Sequence, residues 1–189
     1  MLARLLDERG VPEPRPPRGD VYAALVRAIV GQQLSVTSAR AIYGRLLERF
    51  DGHPPTPAQL LADEPDELRV AVGLSHAKTA YLRSLAEHVL TGELELDRLQ
   101  ELSDEEVTAA LTAVKGIGEW SADIFLMFSL GRPDVLAVGD LGIRRAVQRA
   151  YGLEELPAAA ELTTLAEPWR PHRTAACLLL WSSLDNAPT

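Results

Sequence analysis

The sequence predicts an all-α fold of about ten helices joined by short loops. Three observations predict it. Apolar residues recur three and four apart along most of the 189 residues, the repeat of a helix that buries one face. Strand signals are almost absent, since the short apolar run at residues 135–138 has no companion to pair with. Residues that start and stop helices punctuate the chain at intervals of one helix length.

The elements follow in order. Residues 22–30 and 36–50 carry the helical repeat, with a break at Gly31-Gln32-Gln33. Gly52-His53-Pro54-Pro55 is a loop, after which Thr56 reads as an N-cap and Pro57 as the first helical residue, where a missing N–H costs nothing. A short helix follows, then another over residues 65–72 that Gly73 closes. Ser75 caps a long helix over residues 76–90, and Gly92 ends it. Ser103-Asp104-Glu105-Glu106 fits a capping box, so a helix runs from there to about Val114. Gly116-Ile117-Gly118 is a tight turn, and a helix over residues 120–130 leaves it at once. Beyond the loop 131–139, residues 141–151 are helical, residues 158–166 form a further short helix, and residues 172–184 form the last. Within that last helix residues 177–181 are apolar nearly all round, which predicts burial. Residues 15–18 read as a Pro-rich spacer, and there is no repeat or low-complexity segment.

Hydrophobic residues make up 47% and charged residues 24%, the proportions of a chain that buries a core, as one domain or two small lobes. A single cysteine, Cys177, excludes a disulfide framework and a four-thiolate iron–sulfur cluster; in its apolar surroundings it reads as a small buried hydrophobe. The first twenty residues carry charge throughout and lack the apolar core of a signal peptide, and no run approaches a membrane span. The expectation is therefore a cytosolic protein, with no membrane partner. The formal net charge of −8 argues against a large non-specific footprint on a polyanion, because phosphate binding is mostly cationic counterion release. The acid is concentrated at residues 51–67 and 93–106, however. Between residues 115 and 149 Lys115, Arg132, Arg144, Arg145 and Arg149 stand against Glu119, Asp123, Asp134 and Asp140.

The stretch 111–147 carries the chemistry. Glycine at positions 116 and 118 permits positive φ and close approach of another backbone. Because a helix starts immediately after, its first N–H groups point outward with the positive end of the dipole behind them, an anion site fitted to a phosphate, to which Lys115 adds charge. The same turn also reads as a plain tight connection. Asp140 precedes the helix over residues 141–151, and its position alone makes it an N-cap worth about 1 kcal/mol. That role is compatible with a second, since the helix dipole favours a charged carboxylate there. Trp120 and Trp181 read as core by themselves, or as flat electron-rich faces for a ring.

The segments VKGIGEWSAD (114–123), VGDLGIRRA (138–146), AIVGQQLS (28–35), GLSHAKTAYLRSLA (73–86) and WRPHRTAACLLLW (169–181) resemble the helix–hairpin–helix (HhH-GPD) DNA glycosylases, and within them the 3-methyladenine type II, alkylbase branch. The resemblance covers residues 22–181. It implies two helical lobes flanking a cleft: a central bundle at 34–136 ending in the helix–hairpin–helix at 111–130, and a second lobe of residues 1–33 plus 137–189. The N-terminal β-rich domain of some members has no counterpart, so a compact version is expected. The implied activity is that of a monofunctional glycosylase of base excision repair. It would flip alkylated purines such as 3-methyladenine or 7-methylguanine out of duplex DNA and hydrolyse their N-glycosidic bond.

Residue by residue, Asp140 matches the family carboxylate that stabilises the oxocarbenium-like sugar and orients or deprotonates water. An N-alkylated purine is already cationic and leaves without a general acid, so no second carboxylate is required, unlike O-glycoside hydrolysis. Trp120 matches a base-pocket position, Trp181 belongs to the family's C-terminal signature and is the next candidate, and Tyr22, Tyr43 and Phe125 are less supported candidates to line the pocket; an indole face gains roughly 0.5–2 kcal/mol over a cationic ring. Trp169 belongs to the same signature as a structural residue. Gln33 falls at the position of the wedge that fills the gap in the duplex. Lys115, Gly116, Ile117 and Gly118 would hold the DNA backbone, and the main-chain carbonyls of Val114 and Ile117 a Na⁺ or K⁺ ion. Bifunctional members place a Schiff-base lysine where Trp120 stands; the two lysines, Lys78 and Lys115, lie elsewhere, so no lyase activity is expected. The implied partner is damaged double-stranded DNA, bound by a monomer that requires no cofactor and carries no iron–sulfur cluster. Two other readings stay open: a glycosylase for a mismatched or oxidised base on the same scaffold, and a helix–hairpin–helix DNA-binding module without chemistry. His76 and His172 have no assigned role.

Overall fold

The computed structural model describes residues 19–184, with Asp7, Gly10 and Pro12 before them; the spacer at residues 15–18 lies outside the described residues. Among the described residues from Gly19 on, ten α-helices and two 3₁₀ turns account for the regular structure, and no strand occurs among the described residues. The helices are α1 (Val21–Gly31), α2 (Val36–Arg49), α3 (Pro57–Ala62), α4 (Pro65–Val72), α5 (His76–Thr91), α6 (Asp104–Thr112), α7 (Glu119–Phe128), α8 (Leu141–Tyr151), α9 (Ala159–Ala166) and α10 (Arg173–Ser182). The caps expected at Thr56, Ser75 and Ser103 each accept a backbone N–H from the first turn, and Thr56 with Gln59 and Ser103 with Glu106 form full capping boxes. No helix among the described residues is long and apolar enough to cross a membrane.

The chain divides into two compact units, Gly19–Ala122 and Asp123–Thr189, the latter with Met1–Arg18 so far as these are described. The boundary differs from the division at residues 33 and 136 expected from the sequence. α1 belongs with the first unit because it packs on α2 and α5 and is tied there by side chains: Lys78 Nζ donates to the Val30 carbonyl at 2.7 Å, and Gln32 Nε2 to the Gly116 carbonyl at 2.8 Å. The second boundary falls inside α7. Its last residues belong to the second unit, where Phe128 stacks on Trp181.

In the first unit Leu25, Val26, Ile29 and Val30 of α1 are buried with Leu46, Leu60, Leu68, Leu82 and Leu85 from α2 to α5. Each such side chain contributes about 1.5–3 kcal/mol of apolar burial. Arginines satisfy carbonyls at the helix ends. Arg83 Nη1 donates to the carbonyls of Leu60, Leu61 and Asp63 at 3.4, 3.3 and 3.2 Å. Arg45 Nε donates to Val72 O at 2.8 Å, beside Gly73.

In the second unit α10 packs on α8, and Cys177, Leu180, Ile143 and Val147 are fully buried. Burial pushes the Cys177 thiol up to about 12, so it stays protonated as an inert hydrophobe. The apolar run that had no strand partner is a loop in this unit, buried at residues 135–137, and α10 bonds the backbone at its start and just before it. Thr174 Oγ1 donates to Arg132 O at 2.7 Å and accepts the Val135 N–H at 3.1 Å, while Thr174 N–H donates to Pro133 O at 3.1 Å. Asp134 accepts Arg173 Nε on Oδ1 at 2.7 Å and Arg170 Nη1 on Oδ2 at 2.9 Å, and Arg173 Nη2 reaches Asp134 O at 2.6 Å. Partial burial pushes the Asp134 carboxyl up, but the Arg173 bonds and charge prevail and hold it below the usual carboxylate range.

A carboxyl with a folded pKa below its unfolded one contributes stability that is present above the unfolded value and lost as pH falls through the folded one. Asp134→Asn is therefore expected to lower unfolding stability at pH 7 by about 1–3 kcal/mol. The gap to wild type should narrow in urea titrations run below about pH 4; a gap that persists unchanged would place the effect outside this ion pair.

Candidate active site

The hairpin lies in the first unit, between α6 and α7. Only one of its two glycines uses the left-handed region: Gly116 has φ +91°, whereas Gly118 does not. A Cβ at Gly116 would fall inside the Tyr81 ring, which packs against its backbone, so glycine is required for space as well as torsion. At Gly118 no heavy atom among the described residues lies within 4 Å of where a Cβ would stand, so its backbone faces open space. Ile117 is buried and anchors the turn; its N–H donates to Val114 O at 3.1 Å. Lys115 is exposed, and its N–H donates to Ser84 Oγ at 3.2 Å. α7 starts directly after Gly118 with Glu119 in its first turn. Trp120 is 46% exposed, so it is a surface indole and not core.

The turn between α1 and α2 lies in the same unit. Gln32 has φ −51° and ψ 131°, Gln33 has φ +56°, and Leu34 N–H donates back to Gly31 O at 3.2 Å. This is the pattern of a type II β-turn, whose third residue is usually glycine. Asp51 is the other non-glycine with positive φ among the described residues, and Asp tolerates it; a glutamine there costs on the order of 1 kcal/mol. Gln33 is exposed, flanked by Leu34 and by Val36, which is 59% exposed. Tyr22, by contrast, is buried in α1, and its hydroxyl has no hydrogen-bond partner among the described residues. Burial, with Asp20 second, raises its pKa. Tyr43 is half-buried under the Arg27 guanidinium.

The carboxylate lies in the second unit. Asp140 is the N-cap of α8, and its Oδ1 accepts the Ile143 N–H at 2.8 Å. The same oxygen accepts Trp181 Nε1 at 2.9 Å. Trp181 is 3% exposed and stacks on Phe128, with ring centroids 6.1 Å apart. Trp181 therefore has a different place from the one expected: it is a buried donor that orients the carboxylate, with almost no face left for a second ring. Phe125 is buried as well. Gly142, in the first turn of α8, leaves the room this bond needs, since a Cβ there would stand 2.9 Å from Asp140 Oδ1 and 3.3 Å from Trp181 Cδ1. The sequence reading missed Gly142, Gln32, Tyr81 and Lys78. The segment at residues 73–86 held the last two, but nothing in its spacing says that Tyr81 lies against Gly116 or that Lys78 reaches the Val30 carbonyl. Trp169, half-buried, donates to the Tyr151 hydroxyl at 3.3 Å, a structural contact. His76 and His172 are exposed at helix starts. Among the described residues no group of three His, Cys, Asp or Glu side chains is placed to hold a metal ion.

These features are those of one family. Residues 26–171 match the profile of the HhH-GPD superfamily base excision DNA repair proteins, and the chain belongs to that family. It is 35% identical over 164 residues to DNA-3-methyladenine glycosylase 1 of Schizosaccharomyces pombe, covering 86% of this chain and 72% of the relative. It is 32% identical to DNA-3-methyladenine glycosylase 2 of Escherichia coli, covering 86% of this chain and 57% of that protein. Among solved structures it superposes on a DNA-3-methyladenine glycosidase of Bacillus halodurans with TM-score 0.86 and 40% identity, covering 96% of this chain and 83% of the other. The S. pombe 3-methyladenine DNA glycosylase in complex with abasic DNA gives TM-score 0.84 and 32% identity, over 97% and 90% of the two chains.

Gly→Ala in an exposed helical position raises stability by up to about 1 kcal/mol. Gly142→Ala is expected to do the opposite and lower stability by about 1–3 kcal/mol, because the new methyl must displace the carboxylate or the indole. Urea midpoints of the variant and wild type measure this; a gain in stability would show that the pair moves aside freely.

Proposed function

We propose that this chain is a monofunctional DNA glycosylase of base excision repair that hydrolyses the N-glycosidic bond of alkylated purines, 3-methyladenine and 7-methylguanine among them, in duplex DNA, acting as a monomer. The observation that carries the reading is the fixed carboxylate of Asp140, held on one oxygen by the Ile143 amide and the Trp181 indole. The names and folds of the relatives support the substrate class.

The backbone of the DNA would be held at Lys115–Gly118, with a phosphate against the open face of Gly118 and the first turn of α7. The main-chain carbonyls of Val114 and Ile117 would hold a Na⁺ or K⁺ ion, which would supply positive charge beside a phosphate; Val114 O also accepts the Ile117 N–H at 3.1 Å, and its second lone pair would face the ion. Gln33 would enter the gap left by the extruded nucleotide, and Trp120 would offer its exposed indole face to the unstacked base. A cationic alkylpurine gains more from that face than a neutral base does.

In the chemical step the bond between C1′ and the purine nitrogen breaks, and its electron pair leaves with the base and neutralises the ring. Positive charge grows on the sugar, and the Asp140 carboxylate stabilises it. Water then adds to C1′ and gives its proton to Asp140 and on to solvent. No lysine stands at the start of α7 to form a Schiff base, so the product is an abasic site in an uncut strand.

Asp140→Asn tests the reading. An Asn Oδ1 accepts the same two bonds, so stability should stay within about 1 kcal/mol of wild type. Base release from a 3-methyladenine or 7-methylguanine duplex should fall by about 10²–10³-fold or more. Full activity in the variant would reduce Asp140 to a cap. Release from 8-oxoguanine or mismatched duplexes, and not from alkylated ones, would favour the other substrate class. Treatment of a reacting mixture with borohydride should trap no covalent adduct; an adduct would overturn the monofunctional assignment.

A further inference from the structure

We propose that Gln32 is a positioning residue that couples the hairpin to the wedge turn, so that gripping the DNA backbone at residues 115–118 sets where Gln33 enters the duplex. The inference rests on the function proposed above, and specifically on Gln33 as the residue that fills the gap. Gln32 Nε2 donates to the Gly116 carbonyl at 2.8 Å across 84 residues of sequence. Gln32 and Gln33 are the two central residues of one β-turn, so moving the Gln32 anchor rotates Gln33 with it.

Both ends of this link are seated on one helix. On α5, Lys78 holds the Val30 carbonyl at 2.7 Å just before the wedge turn. Tyr81 packs against Gly116, and Ser84 accepts the Lys115 N–H at 3.2 Å. Residues 78, 81 and 84 are spaced three apart and follow one face of the helix. Burial lowers the Lys78 pKa, consistent with an ammonium group engaged in the interior of the unit. Ser35 caps α2 on the far side of the turn. A left-handed glutamine persists only where its surroundings over-determine it, and these contacts do so. Within the wedge turn, Gln32 is the side chain that reaches the hairpin itself.

The test is a double-mutant cycle on binding, independent of base release. The probes are a duplex with a tetrahydrofuran abasic analogue and the same duplex intact, and the readout is the ratio of intact to abasic Kd. Gln32→Met should lower that ratio at least fivefold in the native background and less than twofold in a Gln33→Ala background. Gln32→Asn, which keeps the amide but is one methylene too short, should act like Gln32→Met and guards against a folding defect in the latter. Equal losses in both backgrounds, no loss in either, or no abasic preference in wild type would each overturn the coupling. Base release by wild type from an alkylated duplex is measured alongside. Its absence sinks the proposed activity while the binding cycle still decides on Gln32; its presence with an additive cycle sinks the coupling alone.

Discussion

The Ile143 amide and the Trp181 indole N–H meet one oxygen of Asp140, and the layout of the second unit follows from that meeting. The amide is available because α8 begins there, and a capping carboxylate is the usual partner for it. The indole arrives only because α10 is registered against the loop at residues 131–140, by Thr174 bonded to the backbone of Arg132, Pro133 and Val135 and by Arg173 clasping Asp134. Phe128 of α7 fixes the ring plane from behind. A carboxylate held by two donors loses orientational freedom that an exposed aspartate keeps, and pre-set orientation is what lets charge stabilise a developing cation without reorganisation.

The first unit shows why an acidic chain can be expected to grip DNA. Several of its cationic side chains are committed inward. Arg83 and Arg45 satisfy carbonyls at the ends of α3 and α4, Arg49 pairs with Asp63, and Lys78 serves the end of α1. Charge used in this way does not release counterions from a polyanion, and the proposed grip draws instead on exposed Lys115 and on main-chain groups. In the hairpin Gly116 bends the chain, Ile117 buries itself, and Gly118 leaves open space. The formal charge of the whole chain is therefore a poor guide to this surface.

Most of the fold was legible in the sequence because helix signals are local. α4 and α8 match the expected spans at both ends, and the caps at Thr56, Ser75 and Ser103 are present as read. The Asp140 cap was equally legible. What could not be read was the partner of each group. Trp181 stands 41 residues from Asp140, and its indole N–H points at a carboxylate and not into an open recess, a direction set by packing on Phe128. The unit boundary inside α7 was also hidden, because a continuous helical repeat gives no sign that its two ends pack on different neighbours. The run at residues 135–138 has no strand partner because the Val135 N–H donates to the Thr174 side chain and the Val138 N–H to Leu136 O within the run.

Two positions invert the ordinary use of glycine, and the inversion separates structure from function. Gly142 lies in a helix where alanine is the better residue, yet the space over it is taken by a carboxylate and an indole. Gln33 has the backbone that glycine prefers, yet carries a long amide into solvent. In the first case a side chain is omitted so that two other groups can meet. In the second a side chain is kept although the backbone would relax without it. Helix propensity alone predicts alanine at the first position, and backbone torsion alone predicts glycine at the second. At Gly142 the departure is explained by the hydrogen bond that orients Asp140; at Gln33 it fits the proposed entry of the side chain into the duplex.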